Sequence, residues 1–219
     1  MDLPNFNKAF EYENNFWLSA KINRISKVIA HYELYNKVIN LSGDVVECGI
    51  FKGASFVRFA MMREILGNPS SKKLIGFDSF GKFPKNNFKH DKKVLKDWTA
   101  DAGEHSISRK DLVDVLEHKN CNDNFDLVEG DIIETVPAYV NNHPELKISL
   151  LNLDTDVYEP AVTILNYLWP KIISGGVLIL DDYGVFPGET KAVDEYFAGS
   201  DIKIQKFPFS KTPSFIVKE

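Results

Sequence analysis

Short apolar runs alternate with helix-forming segments along most of this chain, and that alternation restricts the fold more than any other feature. Residues 44–49, 74–78, 125–128, 148–154 and 177–181 read as strands. Between and after them, residues 55–66, 108–118, 133–140, 160–169 and 190–197 carry helical periodicity. Strands separated by such helices cannot close as hairpins, so they lie parallel with helices on both faces of the sheet. Residues 202–207 and 214–217 read as two last strands with only a short loop between them, which predicts an antiparallel hairpin at the end of the sheet. The expected class is α/β.

With 219 residues and no linker, internal repeat or low-complexity tract, one domain over residues 1–219 is expected. Its N-terminal segment, about residues 1–40, is expected to be helical. Phe16, Ile22, Ile25, Val28, Ile29, Leu34, Tyr35, Val38 and Ile39 recur near three-and-four spacing and predict a helix over about residues 16–40. Residues 79–107 are polar, rich in Lys and Asn and without a clean period, the pattern of a lid-like insertion. Ser108 and Asp111 stand at capping-box spacing at the start of the next helix.

Composition removes several classes. Hydrophobic residues at 44% and charged residues at 26% describe a globular chain with a core. A net charge of -5 argues against nucleic acid as a partner, because phosphate binding needs a basic surface. No apolar run is long enough for a bilayer, and the first residues lack a leader pattern. Cys48 and Cys121 are too few for a disulfide framework; Cys48 lies in an apolar strand-like run, so a buried free thiol there and a reducing cytoplasm are expected. The histidines, His31, His90, His105, His118 and His143, are scattered, and neither HExxH nor CxxC occurs, which argues against zinc. A GxSxG elbow is absent as well.

Acids mark the strand ends: Glu47, Asp78, Asp131, Asp154 and the pair Asp181-Asp182. Ligands of open α/β sheets bind at these carboxyl ends. Acids gathered there raise one another's pKa unless something positive binds among them. A metal ion, a hydroxyl-rich ligand and a cationic ligand all meet that need. Asp154-Thr155-Asp156 and Asp181-Asp182 end two strands expected to be neighbours, where three carboxylates offer oxygen ligands to a hard ion such as Mg²⁺. Loop caps with solvated side chains remain the plainer alternative for Asp154 and Asp181.

The run Glu47-Cys48-Gly49-Ile50-Phe51-Lys52-Gly53-Ala54-Ser55 leaves the first strand and opens a helix. Its glycines permit a tight turn and close approach of a ligand to the backbone. It matches neither GxGxxG nor the GK[ST] of a phosphate-binding loop. Asp78, ending the second strand, stands where an acid accepts hydrogen bonds from ribose hydroxyls, and the two features together describe a nucleoside site. A non-catalytic nucleoside or sugar-nucleotide binding protein would need Glu47 and Asp78 but not Asp154, Asp181 and Asp182. An NAD-dependent oxidoreductase is disfavoured by the missing GxGxxG.

These motifs, with Phe77-Asp78-Ser79-Phe80, Leu153-Asp154-Thr155-Asp156-Val157-Tyr158-Glu159, Asp181-Asp182-Tyr183-Gly184, Pro187 and Lys191-Ala192-Val193-Asp194, resemble the macrocin O-methyltransferase family (TylF/MycF/NovP type) of class I S-adenosylmethionine-dependent methyltransferases. The resemblance runs from about residue 20 to the C terminus. It implies a Rossmann-like, seven-stranded, mostly parallel sheet, S-adenosylmethionine as methyl donor, and Mg²⁺ holding a sugar hydroxyl of a small-molecule acceptor. It further implies that Glu47, Gly49, Phe51, Gly53, Ala54 and Ser55 line the methionine and ribose part of the donor. Asp78, with Ser79 and Phe80, would bind the ribose. Gly130, Asp131 and Ile132 would flank adenine, with Asp154 beside the donor. Asp154, Asp181 and Asp182 match the metal ligands and Asp156 the general base. Glu104, His105, Tyr158 and Tyr183 are the candidate acceptor contacts, and a homodimer or higher homo-oligomer is the expected assembly. Where the family often carries Glu-Gly-Leu-Pro after Asp-Ser-Phe, this chain has Gly81-Lys82-Phe83-Pro84, a departure on the acceptor side. Its N terminus is shorter than in several members, which implies a reduced lid.

Overall fold

The computed structural model describes residues 3–82, 88 and 90–219. Phe83 and Pro84 of the departing loop, and part of the lid-like insertion, lie outside the described residues. Seven strands form one sheet in the order β3-β2-β1-β4-β5-β7-β6. They are β1 Asp44–Cys48, β2 Leu74–Asp78, β3 Phe125–Glu129, β4 Ile148–Leu153, β5 Ile172–Leu180, β6 Gln205–Lys206 and β7 Ser214–Val217. The first five pair in parallel, whereas β7 runs antiparallel to both β5 and β6. The final hairpin is therefore real, and its second strand is the one that joins the parallel sheet.

The helices are α1 Ala9–Ser19, α2 Ile22–Val38, α3 Ala54–Leu66, α4 Asp91–Ala102, α5 Arg109–His118, α6 Ile132–Asn142, α7 Tyr158–Tyr167 and α8 Pro187–Tyr196. Alternation along each strand sends successive side chains to opposite faces and so divides the core in two. Val46, Cys48, Ile75, Phe77, Leu151 and Leu178 meet α6, α7 and α8 on one face. Val45, Leu74, Leu150, Val177, Ile179 and Phe215 meet α2, α3 and α5 on the other. Both cysteines are buried free thiols, as the sequence indicated for Cys48. Among the described residues no helix is long and apolar enough to cross a membrane.

Three local expectations need correction. The helix expected over residues 16–40 is two helices, because Ala20 and Lys21 are extended, with ψ of 133° and 145°. None of the residues of α1 is buried, so its apolar side chains do not mark a core-facing stripe. The insertion, read as having no period, contains α4. Its charged composition hid it, and its first residue, Asp91, is 0% exposed. Asp91 accepts hydrogen bonds from Gly188 N–H (2.7 Å) at the start of α8 and Tyr158 N–H (3.2 Å) at the start of α7. A Cβ on Gly188 would sit 2.1 Å from the Asp91 carboxylate, so only glycine admits this contact. Thirdly, β6 is shorter than residues 202–207 and β5 begins earlier than residue 177. The Ser108 cap is present: its Oγ accepts from Asp111 N–H at 3.0 Å.

Candidate active site

The chain leaves β1 on one side of the sheet's centre and β4 beside it, and the connections diverge from this point to opposite edges. A crevice forms at the carboxyl ends of strands at such a switch point. Here it is a cavity of about 590 Å³. Gly49, Phe51, Ala54, Ser55, Asp78, Ser79, Gly130, Asp131 and Ile132 line one half. Asp154, Asp156, Asp181 and Asp182 line the other, and Phe16, Arg24, Lys27 and Arg58 reach in from the helices.

The first half is held by backbone hydrogen bonds. Ile50 N–H (2.8 Å) and Phe51 N–H (2.9 Å) donate to Asp78 Oδ2, and Phe80 N–H (2.8 Å) donates to Oδ1. Asp78, expected from sequence as a ribose acceptor, thus braces the turn after β1 as well as lining the cavity. Phe51 and Phe80 take positive φ, 49° and 48°, conformations that the Asp78 bonds help to hold. Gly49, at φ 91°, approaches so closely that a Cβ would lie 1.8 Å from the Asp154 carbonyl oxygen. The turn is thereby fitted against the end of β4. Gly53, also at positive φ, caps α3. Asp131 caps α6 through Ile133 N–H (2.9 Å). Glu47 is 1% exposed; its Oε1 accepts from Ser55 Oγ and from Asn152 Nδ2 (3.3 Å). Its Oε2 has no hydrogen-bond partner among the described residues. Burial, with repulsion from Asp181, pushes the Glu47 carboxyl up to about 8.

The second half is built of charge. Oxygen atoms of Asp154, Asp181 and Asp182 lie within 4.8 Å of one another. Burial and the charge of Asp181 push Asp154 well above the usual carboxylate range, and burial with Asp156 does the same to Asp182. Burial also acts upward on Asp181, but the Lys27 ammonium, aided by His31, outweighs it and holds this carboxyl low. Asp156, at φ 62°, is hydrogen-bonded to Asp182, which requires a proton on one of the two. Burial and the charge of Asp154 push Asp156 up to about 8. Beneath them Glu189, 0% exposed, accepts from Asp182 N–H (3.0 Å) and is itself pushed well up by burial and Asp182.

Donor chemistry and charge together fit a hard cation. The cluster is all oxygen, and the buried Asp181 Oδ1 has no hydrogen-bond partner among the described residues. Such carboxylates stay neutral or find a positive partner.

The candidate acceptor contacts do not gather in the crevice. Glu104 faces Lys82 at 3.5 Å, and His105 bridges Lys82 at the base of the insertion. Tyr158 OH donates to Glu195 (2.7 Å) and Tyr183 OH to Asp194 (2.6 Å), both on α8. None of the four lines the cavity. Sequence reasoning missed Arg24, Lys27, His31, Arg58 and Glu189. The first three had a signal: they recur at i, i+3 and i+7 on α2, a basic stripe along one line of an amphipathic helix.

Strand order, the antiparallel β7 between β5 and β6, and a crevice of this construction define the class I methyltransferase fold. The profile of the Macrocin-O-methyltransferase (TylF) family matches residues 21–209, and the chain belongs to that family. The demethyldecarbamoylnovobiocin O-methyltransferase of Streptomyces niveus is 29% identical over 172 residues, 74% of this chain and 61% of that protein. The mycinamicin III 3''-O-methyltransferase of Micromonospora griseorubida is 27% identical over 168 residues, 70% of this chain and 60% of the relative. The chain thus spans about 60% of these curated relatives' length. Among solved structures, CalS11, a calicheamicin methyltransferase, superposes with a TM-score of 0.79 at 26% identity, covering 99% of this chain and 86% of its own. The O-methyltransferase NovP has a TM-score of 0.74 at 23% identity over 89% of this chain and 80% of its own, a likeness of fold.

Proposed function

We propose that the chain is an S-adenosylmethionine-dependent O-methyltransferase that requires Mg²⁺ and acts on a hydroxyl of a sugar or glycosylated small molecule. The observation that carries this reading is the division of one crevice into a backbone-built half and a carboxylate triad. Family membership supports the methyl transfer, and the named substrates of the relatives support a sugar-bearing acceptor. One domain, residues 1–219, carries both halves, and a reducing compartment, the cytoplasm, suits its two free thiols.

The residues of the turn, Gly49 to Ser55, with Glu47 and Asp78, would hold the methionine and ribose parts of the donor. Gly130, Asp131 and Ile132 would flank its adenine. The unpartnered Glu47 Oε2 suits a cationic ammonium, which would also return that carboxyl to its charged form. S-adenosylmethionine supplies an electrophilic methyl group on a sulfonium centre. Asp154, Asp181 and Asp182 would hold Mg²⁺, whose Lewis acidity lowers the pKa of a bound hydroxyl. Asp156 lines the cavity beside the triad and would take the acceptor's proton as the acceptor oxygen bonds to the methyl carbon and the carbon–sulfur bond breaks. The insertion, tied by Asp91 to the helices that follow both acid-bearing segments, would exclude water from that half.

The test is transfer of labelled methyl from S-adenosylmethionine to a panel of sugars and glycosylated products, with and without EDTA. The reading expects label in a sugar-bearing product that is lost in EDTA and restored by Mg²⁺. Full-rate methylation in EDTA would leave the acids as ordinary hydrogen-bonding groups for the acceptor.

A further inference from the structure

The basic stripe of α2 faces the carboxylate triad and has no part in the reaction just proposed. Lys27 Nζ is paired with Asp181 Oδ2. His31 Nε2 lies 3.6 Å from the other oxygen of the same carboxylate. Asp181 is 2% exposed at its side chain and Lys27 19%, so the pair stands where water screens little. Lys27 also feels the charges of Asp154 and Asp182. Lys27 is thus in contact with one of the three acids and within the field of the other two, and Arg58, on α3, also feels Asp154 and Asp181.

An ammonium is a compact charge on a flexible stem, able to leave a partner at the cost of a few rotamers. The ammonium occupies Asp181 Oδ2 and leaves Oδ1 without a hydrogen-bond partner among the described residues, so a metal ion taken up on Oδ1 would stand beside the ammonium across a single carboxylate. Two cations on one carboxylate repel each other strongly where the surroundings screen them weakly.

We propose that Lys27 is a built-in counter-cation of the triad that competes with the divalent metal for Asp181. In the metal-free protein it neutralises part of the cluster and keeps the site folded. Metal loading displaces Nζ from Asp181 Oδ2, and the freed ammonium remains at the cavity wall, of which Lys27 is already a part. Lys27 therefore tunes metal affinity downward while protecting the metal-free fold. This inference rests on the metal reading given above, and its test separates the two.

The measurement is Mn²⁺ binding by electron paramagnetic resonance, at constant pH, with thermal melting of the same samples. Lys27→Met keeps the stem and removes the charge. We expect it to bind Mn²⁺ about tenfold or more tightly than the native chain, since a contact competitor in a weakly screened site is gone. The metal-free variant should melt below the native protein, and Mn²⁺ should raise its melting temperature by more. Lys27→Arg, which keeps a cation, should bind Mn²⁺ no more tightly than the native protein, and Lys27→Gln replaces Lys27→Met if the latter does not fold. Native-like or weaker Mn²⁺ affinity in the Met or Gln variant, with clear binding by the native chain, overturns the role of Lys27 alone. Absence of Mn²⁺ binding in all of them overturns both the competition and the metal reading.

Discussion

The two halves of the crevice use carboxylates in opposite ways. On the β1–β2–β3 side, Asp78 and Asp131 have main-chain N–H donors on their oxygens, and their work is to fix a turn and a helix start. On the β4–β5 side, Asp154, Asp156, Asp181, Asp182 and Glu189 crowd one another, and Lys27 supplies the direct ion pair. Backbone donors stabilise a shape whether or not a ligand is present. Like charges in a dry cleft instead store a demand for a cation. On the proposed reading the first half is preformed for a donor except at the unpartnered Glu47 Oε2, whereas the second is completed only by what binds to it. Gly49 against the Asp154 carbonyl is where the two meet.

The largest effect expected is on turnover when the charged half is altered. Asp182→Asn or Asp154→Asn removes a metal ligand at constant shape, and methyl transfer should fall at least about 10³-fold, from lost hydroxyl activation and acceptor orientation. Melting temperature of the metal-free protein should change little, because burial already holds these carboxyls well above the usual range and Asn replaces a neutral acid of the same shape. Unchanged turnover would mean that the triad has no catalytic part. Asp156→Asn should lower turnover about 10²–10³-fold, inside the span general-base assistance supplies, with Mn²⁺ still bound. Loss of Mn²⁺ binding in that variant would move Asp156 into the metal shell.

The backbone-built half should respond in affinity. Asp78→Ala strips three N–H groups of their acceptor, and a charged hydrogen bond contributes about 1.5–3 kcal/mol. Calorimetry should show S-adenosylmethionine binding about 10–150-fold weaker. Native affinity in a folded variant would remove Asp78 from the donor half. Gly188→Ala should expel Asp91 and lower stability by about 1–3 kcal/mol, read by denaturant unfolding, with donor affinity unaltered. A matching loss of donor affinity would show that the insertion braces both halves.

The last effect is a slope, small at any one pH step. The folded protein holds a proton on Glu47 up to about pH 8, which the unfolded chain releases near its ordinary 4.5. Ligand-free stability attributable to Glu47 therefore falls as pH rises between those values, by about 1.4 kcal/mol per pH unit while one proton is differentially bound. Glu47→Gln should flatten the pH dependence of stability over that window. Parallel curves for the two proteins would show that Glu47 is ionised in the folded state.

The sequence made one half of this picture far plainer than the other. The strands and their parallel course followed from short apolar runs separated by helical segments, and the acids were visible because they stand at or just after the ends of those runs. What Asp78 does was hidden, since its partners are main-chain N–H groups brought together by a turn 27 and 28 residues earlier. Lys27 was not singled out and His31 was counted only among the scattered histidines, because nothing local says which strand end a helix will cover. The helix α4 was lost among lysines and aspartates, and its anchor Asp91 finds its partners 67 and 97 residues on. Local pattern reports periodicity, whereas long-range pairing decides which charges meet.

The independence of the two halves is tested most directly by titrating S-adenosylmethionine calorimetrically into the native protein and Asp182→Asn, each with Mg²⁺ and with EDTA. If one half is preformed and the other is a cation site, the donor's Kd stays within about twofold across all four titrations, while Mn²⁺ binding is found only in the native protein. Donor binding that collapses in EDTA or in the variant would contradict the division, and would make the carboxylate triad part of the donor site itself.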